Sequence, residues 1–588
     1  MQYRLRNNYS KNPDTALKEI LIDRGVQDVE TFLEPSNKCE LNPYDLDNIE
    51  AAADKLLKHL RRNSSICLIV DADCDGFTSS AILWNYIKAV FPEIQLNFTV
   101  HEKKQHGLSD KIDWLEFDTH FDLVLLPDAG SFDGEYHKRL ADVGTEVICL
   151  DHHELPEDYD MTQTPSNTII VNNQLSERYS NKSLCGAGVV YKFCQVLDDK
   201  LGISLAENFI DLAALGEIAD VMSRTTSETN YIMMEGLRKI KNKGFKTLLE
   251  EQSFSLKEKA TPPYLGLTPI DVAFYIAPMI NAITRVGTIQ EKETMFYAFI
   301  EPDRLVKSTK RGAKEGDTET AAKQTARVGN NAKNRQNKLK EKAIDLIDFK
   351  IQKDGLDENN ILIVEVEERD NIPQEIGGLV AMAIVNKYNK PCLIVRRNSE
   401  GMLQGSGRNN ENFKELPSLK DFLENSGYFE YCMGHANAHG ASIHYKKLPQ
   451  FIDYANSYFS ENAFENCYIV DYVFDANEKS LEEIGYSIAG HNEFFGNGIA
   501  EVKIIVKNIP LQNILVMGSD KSSIKISYNG IDYVKFKDIN FIEEIQNNRL
   551  KKIDVLARLN LNTFAGRTSI QCFIDDYDFV DDTNKYDF

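Results

Sequence analysis

The chain has 588 residues, of which 42% are apolar and 27% charged, as in a globular protein of about three or four domains. Its formal net charge of −23 argues against a protein that coats nucleic acid through a broadly positive surface. No apolar run reaches the length of a transmembrane helix, about 18 residues, and the start, MQYRLRNNYSK, lacks a signal-peptide core. The ten cysteines include no CxxC pair, which predicts reduced, mostly buried thiols in a cytoplasmic protein.

Residues 1–60 read as a helical N-terminal segment, interrupted by Gly25 and Pro35. From 61 to 302, short apolar strands alternate with amphipathic helices. The strands are ICLIV, IQLNFTV, DLVLLPD, EVICLD and TIIVN. Such alternation is typical of α/β proteins and predicts a doubly wound parallel sheet.

Residues 303–350 form a basic segment inside an acidic chain. Between Arg304 and Lys342 there are twelve Lys or Arg residues against four acidic ones. We expect a long linker helix here, which either lines a nucleic-acid path or presents a solvated face. Residues 351–450 predict a second α/β domain, and 451–574 predict short strands with turns, about the size of an OB-fold. Residues 575–588 form an acidic tail.

The stretch CLIVDADCDGFTSSAI, residues 67–82, places three aspartates before a glycine, as calcium-binding loops do. An EF-hand loop that began at Asp71 would need a bidentate Glu at its twelfth position, which is Ile82 here. The flanking pattern is a buried strand followed by a helix, so the EF-hand interpretation fails. The aspartates stand where ligands bind in open α/β sheets, with a plain polar turn as the alternative.

Two further strand ends and one helix end carry ligand-type residues. DLVLLPDAGS places Asp128 after a strand, EVICLDHHE does the same for His152, and DLAALGEIADVM ends a helical run at Asp220. Because the carboxyl ends of parallel strands converge, these residues can meet Asp73 and Asp75. Carboxylates with one imidazole suit a pair of Mn²⁺ or Mg²⁺ ions, and Asp128 is the natural bridging ligand.

The ordered series DxDxDG, D, DHH and D resembles the DHH phosphoesterase superfamily. Other segments narrow the resemblance to the RecJ single-strand-specific exonucleases. SLCGAGVVYKF and PMINAITRVG resemble that family's GAG and NAxGR signatures. GGLVAMAIVNKYNKPCLIV, GSGRN and GHANAHG are similar to a DHHA1-type domain, and VDYVFD and FFGNG to the start of its OB-like domain. The resemblance covers nearly the whole chain.

The resemblance implies a metal site with two divalent ions, Mn²⁺ or Mg²⁺, as cofactors. The ligands that it implies are Asp71, Asp73, Asp75, Asp128, His152 and Asp220. The catalytic residues that it implies are Asp71, Asp151 and His153, with His153 on the scissile phosphate. The residues that it implies for substrate phosphates are Asn281, Arg285, Ser406, Arg408 and His435. For His435, a structural role is an equal alternative.

Three positions depart from the family pattern. Ile69 stands where some DHH proteins place a metal-binding His, so one metal is expected to bind weakly. His101 stands in place of an arginine, so that Lys103 or Lys104 would anchor the 5′ end. Met433 replaces a glycine before His435.

The leading hypothesis is a 5′-to-3′ exonuclease that degrades single-stranded DNA to nucleoside 5′-monophosphates in repair, recombination or replication. The polarity follows from the resemblance alone. One alternative is a DHH phosphodiesterase for short oligonucleotides or cyclic dinucleotides, which would not need the basic linker and the OB-like domain. Another is a non-catalytic replication scaffold, which the complete set of carboxylates disfavours. A single-strand-binding protein or a helicase is a further candidate partner.

The tail DDYDFVDDTNKYDF has two interpretations. It is a solubilising end, or it resembles the acidic tip of bacterial single-strand-binding proteins and either competes for their partner or covers the enzyme's own basic channel.

Overall fold

A computed structural model describes the chain except for residues 104, 119, 156–158, 160–163, 461, 519, 548–550, 565 and 581–588. The described residues form two compact units. Unit I comprises residues 25–337 and 493–499, and unit II comprises residues 1–24, 338–492 and 500–588. No helix among the described residues is long and apolar enough to cross a membrane. The ten cysteines carry free thiols, and all except Cys467 are buried.

The first 60 residues are divided between the two units and do not form the separate segment that the sequence suggested. β1 (Gln2–Leu5) and α1 (Pro13–Asp23) belong to unit II. α2 (Val29–Leu33) and α3 (Ile49–Arg61) belong to unit I.

Unit I is built on a five-stranded parallel sheet, as predicted. Its strands are β2 (Ile66–Val70), β3 (Leu96–Val100), β4 (Leu123–Pro127), β5 (Glu146–Asp151) and β6 (Thr168–Asn172). Their order is β3-β2-β4-β5-β6, and all neighbours are parallel. Every residue of β2 and β4 is buried, which explains their unbroken apolar sequences, since helices cover both faces of such a sheet.

Ten helices complete most of unit I. They are α4 (Cys74–Val90), α5 (Gly134–Asp142), α6 (Gly186–Leu201), α7 (Ile210–Ala219), α8 (Ser227–Arg238), α9 (Lys243–Glu251), α10 (Ser253–Leu256), α11 (Pro269–Tyr275), α12 (Ala277–Val286) and α13 (Ile289–Ile300). Between α4, β3 and α13, the rings of Trp84, Phe98 and Phe296 pack edge to face or tilted. The residue that caps the end of α6 is Gly202, with φ 67°, a conformation that glycine adopts without strain.

The basic segment begins as a hairpin and becomes a helix only later. β7 (Leu305–Lys307) pairs antiparallel with β8 (Thr318–Thr320), and α14 (Ala321–Asp354) follows directly. The expected helix over 303–350 is therefore wrong for its first part. Gly312 and Gly316 have φ values of 84° and 92° in the connecting loop, which a helix does not allow.

Unit II contains a second, mixed α/β sheet in the order β12-β13-β11-β10-β9. Its strands are β9 (Leu362–Glu365), β10 (Cys392–Arg397), β11 (Met402–Arg408), β12 (Phe429–His435) and β13 (Ala438–His444). Its helices are α15 (Gly377–Tyr388), α16 (Leu419–Asn425) and α17 (Leu448–Tyr458). The sequence predicts an α/β domain over 351–450, and helix α17 crosses the predicted end of that domain.

The last part of unit II is rich in β-structure. β14 (Cys467–Val470) pairs in parallel with β1. A seven-stranded sheet follows, formed by β15 (Tyr472–Asp475), β16 (Lys503–Pro510), β17 (Ile514–Met517), β18 (Ser523–Tyr528), β19 (Ile531–Lys535), β20 (Lys552–Phe564) and β21 (Arg567–Val580). It is accompanied by α18 (Lys479–Ala489) and α19 (Ile539–Asn547). Strand β21 includes the first residues of the predicted acidic tail, and residues 581–588 of that tail lie outside the described residues.

Candidate metal centre

Three aspartates occupy the junction of β2 and α4. Asp71 follows the last residue of the strand and is buried. Asp73 is the N-cap of α4, and its carboxylate accepts a hydrogen bond from the Gly76 amide at 3.1 Å. Asp75 lies in the first turn of the helix and is buried. The alternating spacing thus directs three carboxylates to one end of the sheet.

The GAG motif holds one of these carboxylates through its backbone. The amides of Gly186 and Ala187, at the start of α6, donate to the two oxygens of Asp75 at 2.7 and 2.9 Å. Gly186 also leaves room for the next ligand, because a Cβ atom there would lie 2.5 Å from the Cβ of Asp128. The motif therefore orients Asp75 by hydrogen bonds and admits Asp128 by its lack of a side chain.

Asp128 follows β4 with φ 67°, and its backbone amide donates to the carbonyl of Leu150 at 2.7 Å. The side chain is buried, and its Oδ1 accepts no hydrogen bond from any residue that the structure describes. Burial raises the pKa of Asp128 well above its usual range, and the negative charges of Asp75 and Asp73 raise it further. Such a buried carboxylate, crowded by like charges, needs a cation beside it to be ionised.

His152 faces three carboxylates. Its Nε2 lies 3.2 Å from Asp128 Oδ1, 3.6 Å from Asp220 Oδ2 and 3.8 Å from Asp75 Oδ2. Burial lowers the pKa of His152, and the neighbouring charge of His153 lowers it further. The imidazole is therefore neutral, as a metal ligand must be.

Asp151 and His153 form a pair beside this cluster. Nδ1 of His153 lies 2.7 Å from Oδ1 of Asp151, whose other oxygen accepts from the Ser131 amide at 3.0 Å. Burial alone would lower the pKa of His153, but the hydrogen bond and charge of Asp151 raise it to about 10. Burial would likewise raise the pKa of Asp151, yet the bond from His153 holds it well below its usual range. His153 is thus a protonated imidazole that Asp151 orients.

The donor atoms form three groups that could each hold a cation, with all atoms of a group within 4.8 Å of one another. The groups are Asp71, Asp73 and Asp128; Asp75, His152 and Asp220; and Asp128, His152 and His153. Protonated His153 cannot be a ligand, so the last group reduces to Asp128 and His152, and Asp128 lies 3.2 Å from the imidazole of the second group, as a bridging ligand would. Oxygen donors with one neutral imidazole suit Mn²⁺ or Mg²⁺, so the residues fit the metals that the sequence predicts.

One histidine of the site, His106, is not among the residues that the sequence predicted. His106 Nδ1 lies 2.5 Å from Asp71 Oδ2, and the Gly107 amide donates to Asp71 Oδ1 at 3.2 Å. The only signal in the sequence was the glycine that follows His106. His101 is buried, with its ring 2.6 Å from Asp110, so its side chain does not face solvent. Of the two proposed substitutes, Lys103 is exposed and Lys104 lies outside the described residues.

Ile69 is buried within β2, where it provides no ligand. On helix α12, two of the predicted phosphate-binding residues lie beside the aspartates. Asn281 Oδ1 accepts a hydrogen bond from the Cys74 amide at 3.2 Å, next to Asp73. Burial lowers the pKa of Arg285, and the charge of Asp73 opposes this shift. Both side chains are therefore at the edge of the cluster in unit I.

The other predicted phosphate-binding residues lie together in unit II. Arg408 on β11 and His435 on β12 both pair with Ala438 of the strand between them. Ser406 lies two residues before Arg408, and both side chains face the start of α15. A Cβ atom on Gly377 would lie 3.7 Å from Ser406 Oγ, and one on Gly378 would lie 2.3 Å from Arg408 Nη2. His435 and Met433 are exposed.

A parallel sheet whose strand ends carry this series of aspartates and a histidine pair is the architecture of a DHH phosphoesterase. Residues 65–217 match the model of the DHH family N-terminal domain, and residues 478–576 match that of the RecJ OB domain. A putative SPbeta prophage-derived single-strand DNA-specific exonuclease of Bacillus subtilis (strain 168) is 34% identical over 99% of this chain and 98% of its own length. The chain therefore belongs to the RecJ family, which confirms the resemblance seen in the sequence.

More distant relatives support the same family assignment. The single-stranded-DNA-specific exonuclease RecJ of Bacillus subtilis (strain 168) is 23% identical over 95% of this chain and 67% of its own length. The crystal structure of RecJ from Thermus thermophilus in complex with Mn²⁺ superimposes with a TM-score of 0.68 and 19% identity. That match covers 99% of this chain and 80% of the other, so the fold is shared over nearly the whole chain.

Proposed function

We propose that this protein is a Mn²⁺- or Mg²⁺-dependent exonuclease that degrades single-stranded DNA from the 5′ end to nucleoside 5′-monophosphates. The observation that carries the proposal is the buried Asp128, which belongs to one group of ligand atoms, lies 3.2 Å from His152 of the other and is crowded by other aspartates. The named activity of the 34%-identical relative supports the choice of substrate. The direction of degradation rests on membership of the family.

Different residues of unit I would bind the metal ions and contact the scissile phosphate. Asp71, Asp73 and Asp128 would hold one ion, and Asp75, His152 and Asp220 the other. When bound there, two ions would supply an activated water and charge stabilisation for the attacking and leaving oxygens of the phosphodiester. Protonated His153, oriented by Asp151, donates a hydrogen bond to a non-bridging oxygen of the scissile phosphate.

Other residues would bind the strand. Arg285 and Asn281 hold phosphates beside the aspartates, and Ser406 and Arg408 hold phosphates in unit II, where a guanidinium can bind bidentately. We further propose that the protein acts in the cytoplasm during DNA repair, recombination or replication. A single-strand-binding protein or a helicase is the proposed protein partner.

The test uses single strands of two to about fifty nucleotides, labelled at the 5′ or the 3′ end, with Mn²⁺, Mg²⁺ or EDTA. We expect mononucleotide release from the 5′ label first, with rates that increase with length up to about a dozen nucleotides. An RNA strand of the same sequence serves as the substrate control. Preference for two to about five nucleotides would instead indicate a short-oligonucleotide phosphodiesterase, since an OB-fold typically binds about 4 to 16 nucleotides.

A further inference from the structure

A short segment near the C-terminal β-region belongs to the unit that carries the aspartates. Residues 493–499, with the sequence EFFGNGI, are part of unit I, whereas Asn492 and Ala500 on either side belong to unit II. Phe494, Phe495 and Ile499 are buried. The sequence predicted only that FFGNG marks the start of the OB-like region, so its position in unit I requires another explanation.

The segment packs against the chain that leaves helix α7. The Arg224 amide donates to the Asn497 carbonyl at 2.8 Å, and the Asn497 side-chain amide donates to the Ile218 carbonyl at 3.4 Å. Gly498 lies so close to Ser223 that a Cβ atom would approach Ser223 Oγ to 2.4 Å. The segment thus contacts residues on both sides of Asp220.

One of these contacts is anchored deep in the protein. Arg224 is fully buried, and its guanidinium donates to the Glu493 carbonyl at 2.7 Å and to Asn230 Oδ1 at 2.7 and 3.0 Å. The same guanidinium lies 5.6 Å from the centre of the Phe32 ring. Residues 493–499 are therefore bonded to the buried interior of unit I.

The residue after Asp220 has a strained backbone. Val221 has φ 57°, a left-handed conformation that β-branched residues rarely adopt, and its side chain is 66% exposed. Its own packing therefore does not compensate for the strain. Such a conformation persists only where the surrounding structure imposes it, and it is typical of functional sites.

We propose that residues 493–499 position Asp220 as a metal ligand by holding the Asp220–Val221 corner in this conformation. Asn497 is the central positioning residue, because its carbonyl and its side-chain amide bind the two sides of the corner. Asp220 then points its carboxylate toward His152, 3.6 Å away. This inference rests on the proposed function, since it requires that Asp220 bind a metal.

A purely structural role for the segment makes a different prediction. Loss of packing would lower the melting temperature and leave the metal affinity of the folded protein unchanged. Loss of positioning would weaken metal binding in a protein that remains folded. Changes to groups that orient metal ligands typically weaken affinity by about 10- to 100-fold.

The main variant is Asn497→Gly in the full-length protein. Asn497 has φ 48°, which glycine adopts freely, so the change removes the side-chain hydrogen bond without straining the backbone. The matched control is Asn529→Gly, because Asn529 has φ 47° and donates to the Ala476 carbonyl at 3.1 Å in unit II. Mn²⁺ affinity is measured by calorimetry and by the electron paramagnetic resonance signal of free Mn²⁺.

We expect the Asn497→Gly protein to bind Mn²⁺ about tenfold more weakly and the Asn529→Gly protein to bind it like the wild type. Nuclease activity of the Asn497→Gly protein should recover as Mn²⁺ is raised. If the glycine variant fails to fold, Asn497→Asp replaces it, since Asp tolerates the same backbone and lacks the donor. Unchanged Mn²⁺ affinity in the folded variant would overturn the inference.

A second change tests the role of strain. Adding Val221→Gly to Asn497→Gly should restore part of the lost Mn²⁺ affinity, because glycine adopts the left-handed conformation without the strain that valine has there. Failure of this rescue would also overturn the inference. If the wild-type protein itself binds no Mn²⁺, or if Asp220→Ala binds it normally, the proposed metal site fails instead.

Discussion

The aspartate cluster of unit I and the proposed phosphate-binding strand of unit II represent two ways of building a binding site. The cluster collects ligands from Asp71 to Asp220, through strand ends and a helix end that meet only in the folded protein. The strand places Ser406 and Arg408 two residues apart, next to the start of one helix. The cluster is buried and crowded by like charges, whereas the strand is partly open. Metal binding should therefore depend on the whole of unit I, and phosphate binding on local geometry.

The largest effect is expected at the centre of the cluster. Asp128→Asn should lower kcat by about 10³-fold or more, since a bridging ligand contributes several kcal/mol to transition-state stabilisation. The same change should raise the melting temperature in EDTA, because it removes a carboxylate whose pKa is raised by burial among like charges. Single-strand hydrolysis and thermal unfolding provide the two measurements.

Asp122→Asn is the matched control, since Asp122 precedes the same strand at its other end and accepts from the Ser65 amide. This variant should hydrolyse DNA like the wild type. Activity of the Asp128→Asn protein within about tenfold of wild type would exclude Asp128 as the bridging ligand.

The histidine pair should show the next largest effect. His153→Gln should lower kcat by about 10²-fold, because a charged donor to the phosphate is lost. Asp151→Asn should lower kcat by less. The double variant should be no slower than His153→Gln alone, since Asp151 acts through His153. Single-turnover rates at saturating Mn²⁺ measure this, and additive losses would show that Asp151 has a role of its own.

A smaller effect is expected in unit II. Arg408→Lys should lower kcat/KM on long single strands by about tenfold, since lysine keeps the charge but cannot bind a phosphate bidentately. Arg397→Lys is the control in the same sheet, where Arg397 forms a bidentate ion pair with Glu365 at 3.0 and 2.7 Å. Equal rates for wild type and Arg408→Lys at subsaturating DNA would indicate that GSGRN has no role in substrate binding.

The smallest effect is expected for the basic helix α14, on the salt dependence of DNA binding. Arg327 and Arg335 already form ion pairs with Glu319 and Glu291, at 2.6 and 2.7 Å. Lys338 has no ion pair with any residue that the structure describes. Lys338→Gln should therefore reduce the slope of log affinity against log salt by about 0.7, and Arg335→Gln by less. Binding of labelled 30-mers from about 50 to 300 mM salt measures the slopes. A larger change for Arg335→Gln would mean that its ion pair opens on DNA.

The two sites differ in how far the sequence could predict them. Asp128 and His152 follow unbroken apolar strands, and parallel strand ends must converge, so their proximity followed from the pattern. His106 was missed because it lies in an irregular loop without hydrophobic periodicity. The prediction of a helix in the early part of the basic segment was wrong for two reasons. Exposed charged residues occur equally in hairpins and on helices, and the strands of this hairpin are only three residues long.

Residues 493–499 belong to unit I although the chain on either side belongs to unit II, and this affects how the activity of shortened forms of the protein should be interpreted. A fragment that ends before Glu493 lacks the strands β16–β21, but it also lacks a buried part of the unit that carries the aspartates. Its inactivity would therefore not measure the contribution of the OB-like sheet to DNA binding. A fragment that retains the chain through Ile499 separates the loss of the sheet strands from the loss of residues 493–499. It removes β16–β21 but keeps residues 493–499, which contact the chain on both sides of Asp220.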